Sequence, residues 1–276
     1  MTALSEDEHL LSQLFQHRFA SGRGLKGHSF GNLFLTAMNQ ITGDFSHAVR
    51  LSSEILAIRG RIFPATSANV TLEAILGDGS TVRGESKISK SKQPIRSVQL
   101  RPNYCDPLPE TLEAIEHADL ITLGPGSLYT SVIPNLLVNG ISEAIERSPA
   151  MKVHFVNLMW QPGETMHYSA SQHIEAIHAH AKRTFIDCVV VNTAAIPVGL
   201  RRKYARARVR PVEADFEMLD KLGVKVVTAD LLALSATNKV RHDSAALADV
   251  ALDLASRSRA HKVRRQILSR HSRKIR

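Results

Sequence analysis

From residue 119 onward, short and largely apolar runs alternate with segments of helical period. The runs fall at 120–123, 153–157, 188–191 and 224–228. Strands lacking the in-out alternation of polar and apolar residues suit a sheet covered on both faces, which is the condition of parallel strands. Between the second and third runs, Ala170, Ile174, Ile177 and Ala181 recur at helical spacing. After the fourth, Leu247, Val250, Ala251 and Leu254 mark a closing helix near 244–255. This order predicts an α/β protein: a doubly wound, mainly parallel sheet with helices on both faces.

The residues before that point read differently. Leu11, Leu14, Phe15 and Phe19 share one face of a predicted first helix. Phe30, Leu33, Phe34, Ala37, Met38 and Ile41 form the stripe of a second, with Ser29 placed to cap it and Gly43 to stop it. A third is predicted over 46–57. The period then changes to that of strands at 69–76, 81–84 and 95–100, with Asp78-Gly79 as a hairpin turn and 87–92 as a polar loop. Residues 64–104 are thus expected to be a small antiparallel β excursion within a single α/β domain spanning 1–256.

Composition narrows the class. The 276 residues carry a net charge of +9, with 35 basic and 26 acidic side chains. Nine of the basic residues, and none of the acidic ones, lie in 257–276, so the rest of the chain is neutral. The basic C-terminal tail is expected to be a solvated extension, with Val263, Ile267 and Leu268 as a thin apolar stripe, and the chain is not read as nucleic-acid-binding. Two cysteines, Cys105 and Cys188, build neither a disulfide framework nor a four-thiolate zinc site, which points to a reducing cytoplasm. The opening residues are acidic and polar, unlike a signal peptide, and the longest uncharged run, 120–142, is broken by glycine and proline, so no membrane span is read.

Ligands of open α/β sheets bind beyond the carboxyl ends of the strands. That rule selects the loops 124–131, 158–168 and 192–203. The first reads Gly-Pro-Gly-Ser-Leu-Tyr-Thr-Ser and joins a strand to a helix. Glycines there admit a close backbone approach, a helix start offers N–H donors to phosphate, and Ser127, Thr130 and Ser131 add hydroxyls. The same residues also suit a tight turn with a helix cap. Arg241, just before the closing helix, is an anion-site candidate, unless Asp243 or Ser244 caps that helix and leaves Arg241 solvated.

The segment LGPGSLYTSVIPNLLVNGI, with GHSFGNLFLTAMNQITGDF (27–45), LAIRGRIFPAT (56–66), VRGES (82–86), NLMWQPGET (157–165) and VRHDSAALADVALDLA (240–255), resembles the bacterial gluconeogenesis factor family. These are YvcK-type, CofD-like proteins related to 2-phospho-L-lactate transferases. The resemblance covers about Leu10 to Ala255 and implies a Rossmann-like fold with a nucleotide-type ligand, a UDP-sugar or a dinucleotide. It places Gly124, Gly126, Ser127 and Thr130 on phosphates. His28, Ser29 and Asn32 line the same cleft from the helical side, and Asn157, Gln161, Gly163, Glu164 and Thr165 form its second wall. The family normally opens with a GGGTG-type loop and a DDGGS-type segment. Neither occurs here, so against that pattern the chain reads as truncated at its N-terminus. Trp160 stands where a smaller residue is expected.

His173, His178 and His180 share a predicted helix at spacings that give no common ligand face, and no metal site is read. Asp44 and Glu164 are single carboxylates that could hold Mg²⁺ together with phosphates, with a turn role favoured for Asp44. No Gly-x-Ser-x-Gly elbow surrounds Ser127. Arg201-Arg-Lys203 suits phosphate, a partner or plain solvation. Three readings follow. The first is a cytoplasmic UDP-sugar-binding regulator tied to cell shape and cell-wall synthesis under gluconeogenic growth, acting through a wall-synthesis or regulatory partner and open to homo-oligomerisation. The second is a transferase moving a phospholactyl-type group from a nucleotide donor with Mg²⁺. The third is a truncated remnant that binds nothing.

Overall fold

The computed structural model describes residues 11, 13–15, 17–56, 60–91, 93–235 and 237–274, with side chains described as far as residue 260. The chain forms two compact units, one of Met1–Asn69 with Asp106–Thr111, the other of Val70–Cys105 with Leu112–Arg276.

The first unit is helical. Helix α1 (Phe30–Thr42) starts where the Ser29 side chain accepts the Asn32 N–H, and it stops at Gly43, whose φ of 69° only glycine adopts easily. Asp44 then caps α2 (Phe45–Ile55), its carboxylate accepting the His47 N–H at 2.6 Å. The turn role of Asp44 is thereby explained. The expected end of this helix at Ala57 lies outside the described residues. Phe15 packs edge-on against Phe30 and Phe34, and Gly31 leaves room for it: a Cβ there would sit 2.9 Å from the Phe15 ring. Two expectations need correction. Phe19 is not on the first helix but in a turn bridged by Arg18 and Ser29, where it exchanges backbone bonds with Gly27 and His28. Ile41 is 78% exposed, because the apolar stripe of α1 runs further than the unit covers.

The second unit begins with a three-stranded antiparallel sheet, ordered β2-β1-β3, of β1 (Thr71–Leu76), β2 (Thr81–Arg83) and β3 (Ile95–Arg101). The Asp78-Gly79 turn is present, with Gly79 at φ 85°. The stretch expected to be a polar loop instead contains a helical turn, α3 (Glu85–Ile88), because Ile88 is fully buried and anchors it; Lys92 lies outside the described residues. Helix α4 (Pro109–His117) leads into β4 (Leu120–Leu123), the first of four parallel strands. With β5 (Met151–Phe155), β6 (Cys188–Asn192) and β7 (Lys225–Ala229) it pairs in chain order.

Between β4 and β5 come a π-helical turn (Leu128–Val132), α5 (Ile133–Leu136), with Pro134 in its first turn, and α6 (Ile141–Arg147). Proline suits that place because its missing N–H is not needed there. Helix α7 (Ala170–Ala181) is closed by a capping box of Ser169 and Gln172, and its four predicted apolar residues are all buried. Helices α8 (Val198–Arg206) and α9 (Phe216–Lys221) precede β7; the hairpin of β8 (Leu232–Leu234) and β9 (Val240–His242) follows it. Helix α10 (Ser244–Lys274) continues through the basic tail, which is therefore helical to Lys274 rather than a bare extension. The stripe residues Val263, Ile267 and Leu268 have side chains outside the described set.

Alternation along the strands divides the core. Val153, Phe155, Cys188 and Val190 pack with Leu200 of α8 and Leu254 of α10 on one face. His154 points to the other, where its ring lies 6.0 Å from His173 of α7. The parallel sheet with helices on both faces and the antiparallel excursion match the expected α/β, Rossmann-like plan. Cys105 and Cys188 are buried, and neither forms a disulfide among the described residues. Among the described residues no helix is long and apolar enough to cross a membrane.

Candidate functional site

The three loops selected by the sheet rule follow β4, β5 and β6. The first turns sharply because Gly124 has φ 78° and lies against β5: a Cβ there would be 3.2 Å from the Phe155 carbonyl. Gly126 and Ser127 then lead into the π-helical turn, where Val132 N–H reaches Ser127 O at 3.1 Å. The N–H groups of Gly126, Ser127 and Leu128 meet no acceptor among the described residues. These three donors are the groups a phosphate oxygen accepts from.

The loop after β5 holds this turn in place. Asn157 Nδ2 donates to Gly126 O at 3.0 Å and, at 3.3 Å, to Gln161 Oε1. Gln161 Nε2 donates to Ser127 Oγ at 3.2 Å, and Gln161 N–H to Thr165 Oγ1 at 3.2 Å. Glu164 is buried. Its Oε1 accepts the Thr130 hydroxyl at 2.8 Å and its Oε2 accepts Tyr129 N–H at 3.1 Å. Gly163 passes so close to the excursion that a Cβ would lie 2.6 Å from Ser89 O. Asn157, Gln161 and Glu164 are thus gathered around the glycine turn by direct contact, and Thr165 holds Gln161 from behind. One of the expected donors is already engaged within the protein, since Thr130 donates to Glu164; Ser127 Oγ accepts from Gln161, which fixes the oxygen without using its proton. Trp160 fixes its own loop, donating Nε1–H to Tyr168 O at 3.0 Å and packing at a tilt against His167.

His28 and Asn32 lie in the other unit, exposed at the start of α1. Arg241 lies on β9, exposed, with one short-range bond to Val240 O. Asp243 caps α10, accepting the N–H groups of Ala245 and Ala246 at 2.9 and 3.0 Å. Its neighbour His242 meets Val156 O at 3.2 Å, which brings β9 to the carboxyl end of β5, one residue from Asn157.

At the same edge a cavity of about 220 Å³ opens between the ends of β5 and β6, lined by Asn157, Asn192, Arg201 and Glu213. Sequence reasoning missed Asn192 and Glu213. Asn192 ends β6, so the strand-end rule carried a signal for it. Its carboxamide is spent on backbone, accepting from Ala194 and Leu231 and donating to Ala194 O. Glu213 had no signal, since its chain position says nothing about the cavity.

Beneath the turn the histidines are core residues. His154 Nδ1 contacts Leu123 O at 3.0 Å and His173 Nδ1 contacts Ser169 O at 2.7 Å. Burial, with His173 adding to it, pushes His154 from 6.5 down to about 3, so it stays neutral. His178 Nε2 accepts from Phe185 and Ile186, and His180 Nε2 from Val98. These nitrogens serve the backbone.

Known proteins resemble this chain in sequence and fold. Residues 1–232 match the family described as 2-phospho-L-lactate transferase CofD. A gluconeogenesis factor of Bacillus subtilis (strain 168) is 47% identical over 254 residues, covering 92% of this chain and 80% of the relative. One of Halalkalibacterium halodurans is 45% identical over 253 residues, covering 92% and 78%. A crystal structure of a Bacillus halodurans protein of the UPF0052 family superposes with a TM-score of 0.84 at 44% identity, covering 91% of this chain and 80% of that one.

Proposed function

The chain belongs to the CofD family, and from that premise we propose that it is a regulatory protein of the gluconeogenesis factor kind that binds a nucleotide sugar, a UDP-sugar, in the cytoplasm. The observation that carries this reading is the glycine turn after β4. It presents three backbone N–H groups that meet no acceptor among the described residues at the carboxyl edge of a parallel sheet, where a diphosphate gains both donors and close backbone approach. Arg241, on the strand tethered to the end of β5, supplies a guanidinium to the same anion. Asn157 and Thr165 act by positioning the turn. The signal passes to a protein of cell-wall synthesis or cell-shape control.

Support for a regulator over an enzyme comes from the carboxylates: Asp44 is used as a helix cap and Glu164 as an internal acceptor. A phospholactyl-type transferase, which the family's description favours, would need carboxylates free to hold Mg²⁺.

Thermal melting of the whole chain with UDP-N-acetylglucosamine, UDP-glucose, GDP and NAD tests the proposal. Saturating ligand raises the melting temperature by mass action, by about 5 °C at hundredfold excess over Kd. A rise confined to UDP-sugars, with the ligand recovered unchanged, is the expected result. No rise with any nucleotide, or Mg²⁺-dependent turnover of one, overturns it.

A further inference from the structure

The larger cavity described here belongs to the helical unit alone. It encloses about 700 Å³ and is bounded by α2, the segment 60–64 and residues Leu108 and Glu110. That is within the roughly 300–1,000 Å³ of small-molecule sites and far more than a bare inorganic anion fills.

Its two walls differ in chemistry. One is the polar face of α2, where Ser46, His47, Arg50, Ser53 and Glu54 recur at helical spacing. The other is apolar, made of Ile62, Phe63, Pro64 and Leu108. The Arg61 guanidinium lies 5.4 Å over the Phe63 ring, which places its charge on the cavity wall. Neither Arg50 nor Arg61 enters an ion pair among the described residues, although carboxylates line the same cavity. Asp44 is turned to its capping bond, and Glu110 sits in the first turn of α4, where the helix dipole favours its charge. Glu54 is a third lining carboxylate and forms no ion pair with either arginine among the described residues, so the two guanidiniums alone carry the positive charge of the site. Ser46 Oγ is buried with no hydrogen-bond partner, and an unpaired buried hydroxyl calls for one.

We propose that this cavity is a second ligand site, for an anion carried on a planar ring, with the anionic group on Arg50 and Arg61 and the ring against Phe63. The ring removes water from the apolar wall while the two guanidiniums meet the charge. Ser46 Oγ supplies a further polar contact. A ring without charge leaves both arginines unmet, and a charge without a ring leaves the apolar wall wet.

Calorimetric titration of the full chain with 2-naphthyl phosphate, 2-naphthol and inorganic phosphate tests this. The phosphate ester is expected to bind at least tenfold more tightly than either fragment. Arg50→Gln and Arg61→Gln, both at exposed positions, are each expected to weaken it about tenfold without shifting the melting temperature. Phe63→Ala gives an independent variant for the ring contact and is expected to bring the ester toward the affinity of inorganic phosphate. Arg241→Ala is expected to leave ester binding unchanged, and the two arginine variants to leave UDP-sugar binding unchanged, so each site fails or stands separately. Absence of saturable binding overturns the proposal. So does equal affinity for the neutral ring, unchanged affinity in all three variants, or loss of UDP-sugar binding together with the ester.

Discussion

The Thr130 hydroxyl donates to Glu164 Oε1 at 2.8 Å, and Glu164 Oε2 in turn accepts Tyr129 N–H at 3.1 Å. One buried carboxylate therefore fixes two consecutive residues of the π-helical turn that follows the glycines. Glu164→Ala removes both acceptors and is expected to destabilise the second unit by about 2–4 kcal/mol, since each orphaned buried donor costs about 1–3 kcal/mol. Urea denaturation measures this, and a loss below about 1 kcal/mol would contradict the clamp.

Asn157 acts on the other side of the turn, donating to Gly126 O at 3.0 Å. Asn157→Asp places an acceptor against that carbonyl. UDP-sugar affinity is expected to fall at least tenfold, with the far-UV circular dichroism spectrum unchanged. Equal affinity in the variant would separate the turn from the ligand.

Gly163 combines φ 81° with a Cβ position 2.6 Å from Ser89 O. Gly163→Ala is therefore expected to cost about 2 kcal/mol or more, because both the backbone conformation and the space are wrong for a side chain. A melting temperature equal to the parent's would refute the close approach.

Two groups give separate acid transitions. Glu73 is buried on β1 and bonded to Arg83, Gln99 and Arg101, which hold its carboxyl at about 2 instead of 4.5. Its contribution is complete above 4.5 and is lost as the pH falls toward 2. His154 acts in the same direction at higher pH: it is neutral when folded and protonates near 6.5 when unfolded, so stability declines as the pH falls from 6.5 toward 3. His154→Gln is expected to flatten the stability profile between pH 6 and 4, and Glu73→Gln to flatten it below 4.5. An unchanged slope in Glu73→Gln counts against the arginine and glutamine bonds of Glu73, and in His154→Gln against the burial of His154.

The α/β plan was legible because each short apolar run has only one environment that buries both its faces, and because Ser29, Gly43 and Asp78-Gly79 are local signals that need no tertiary context. The glycine turn was legible for the same reason. What escaped was set by distance in the sequence. Thr130 and Ser127 looked like free hydroxyls because Glu164 and Gln161, which hold them, are more than thirty residues away. Ile88 draws a polar stretch into a helical turn through burial that its neighbours do not announce. Phe19 fits a helical stripe by spacing, yet the Arg18–Ser29 bridge decides its place. The helix through the basic tail was missed because like charge argues for solvation, whereas an unbroken helix entering from 244 needs no apolar face to continue.

The most direct test of the account is calorimetric titration of UDP-N-acetylglucosamine into the whole chain and into Arg241→Ala, with the ligand analysed afterwards. The account predicts one saturable site, a loss of at least tenfold in the variant without a change in melting temperature, and ligand recovered intact. Heat-silent titration of the folded protein, equal affinity in the variant, or conversion of the nucleotide sugar would contradict it.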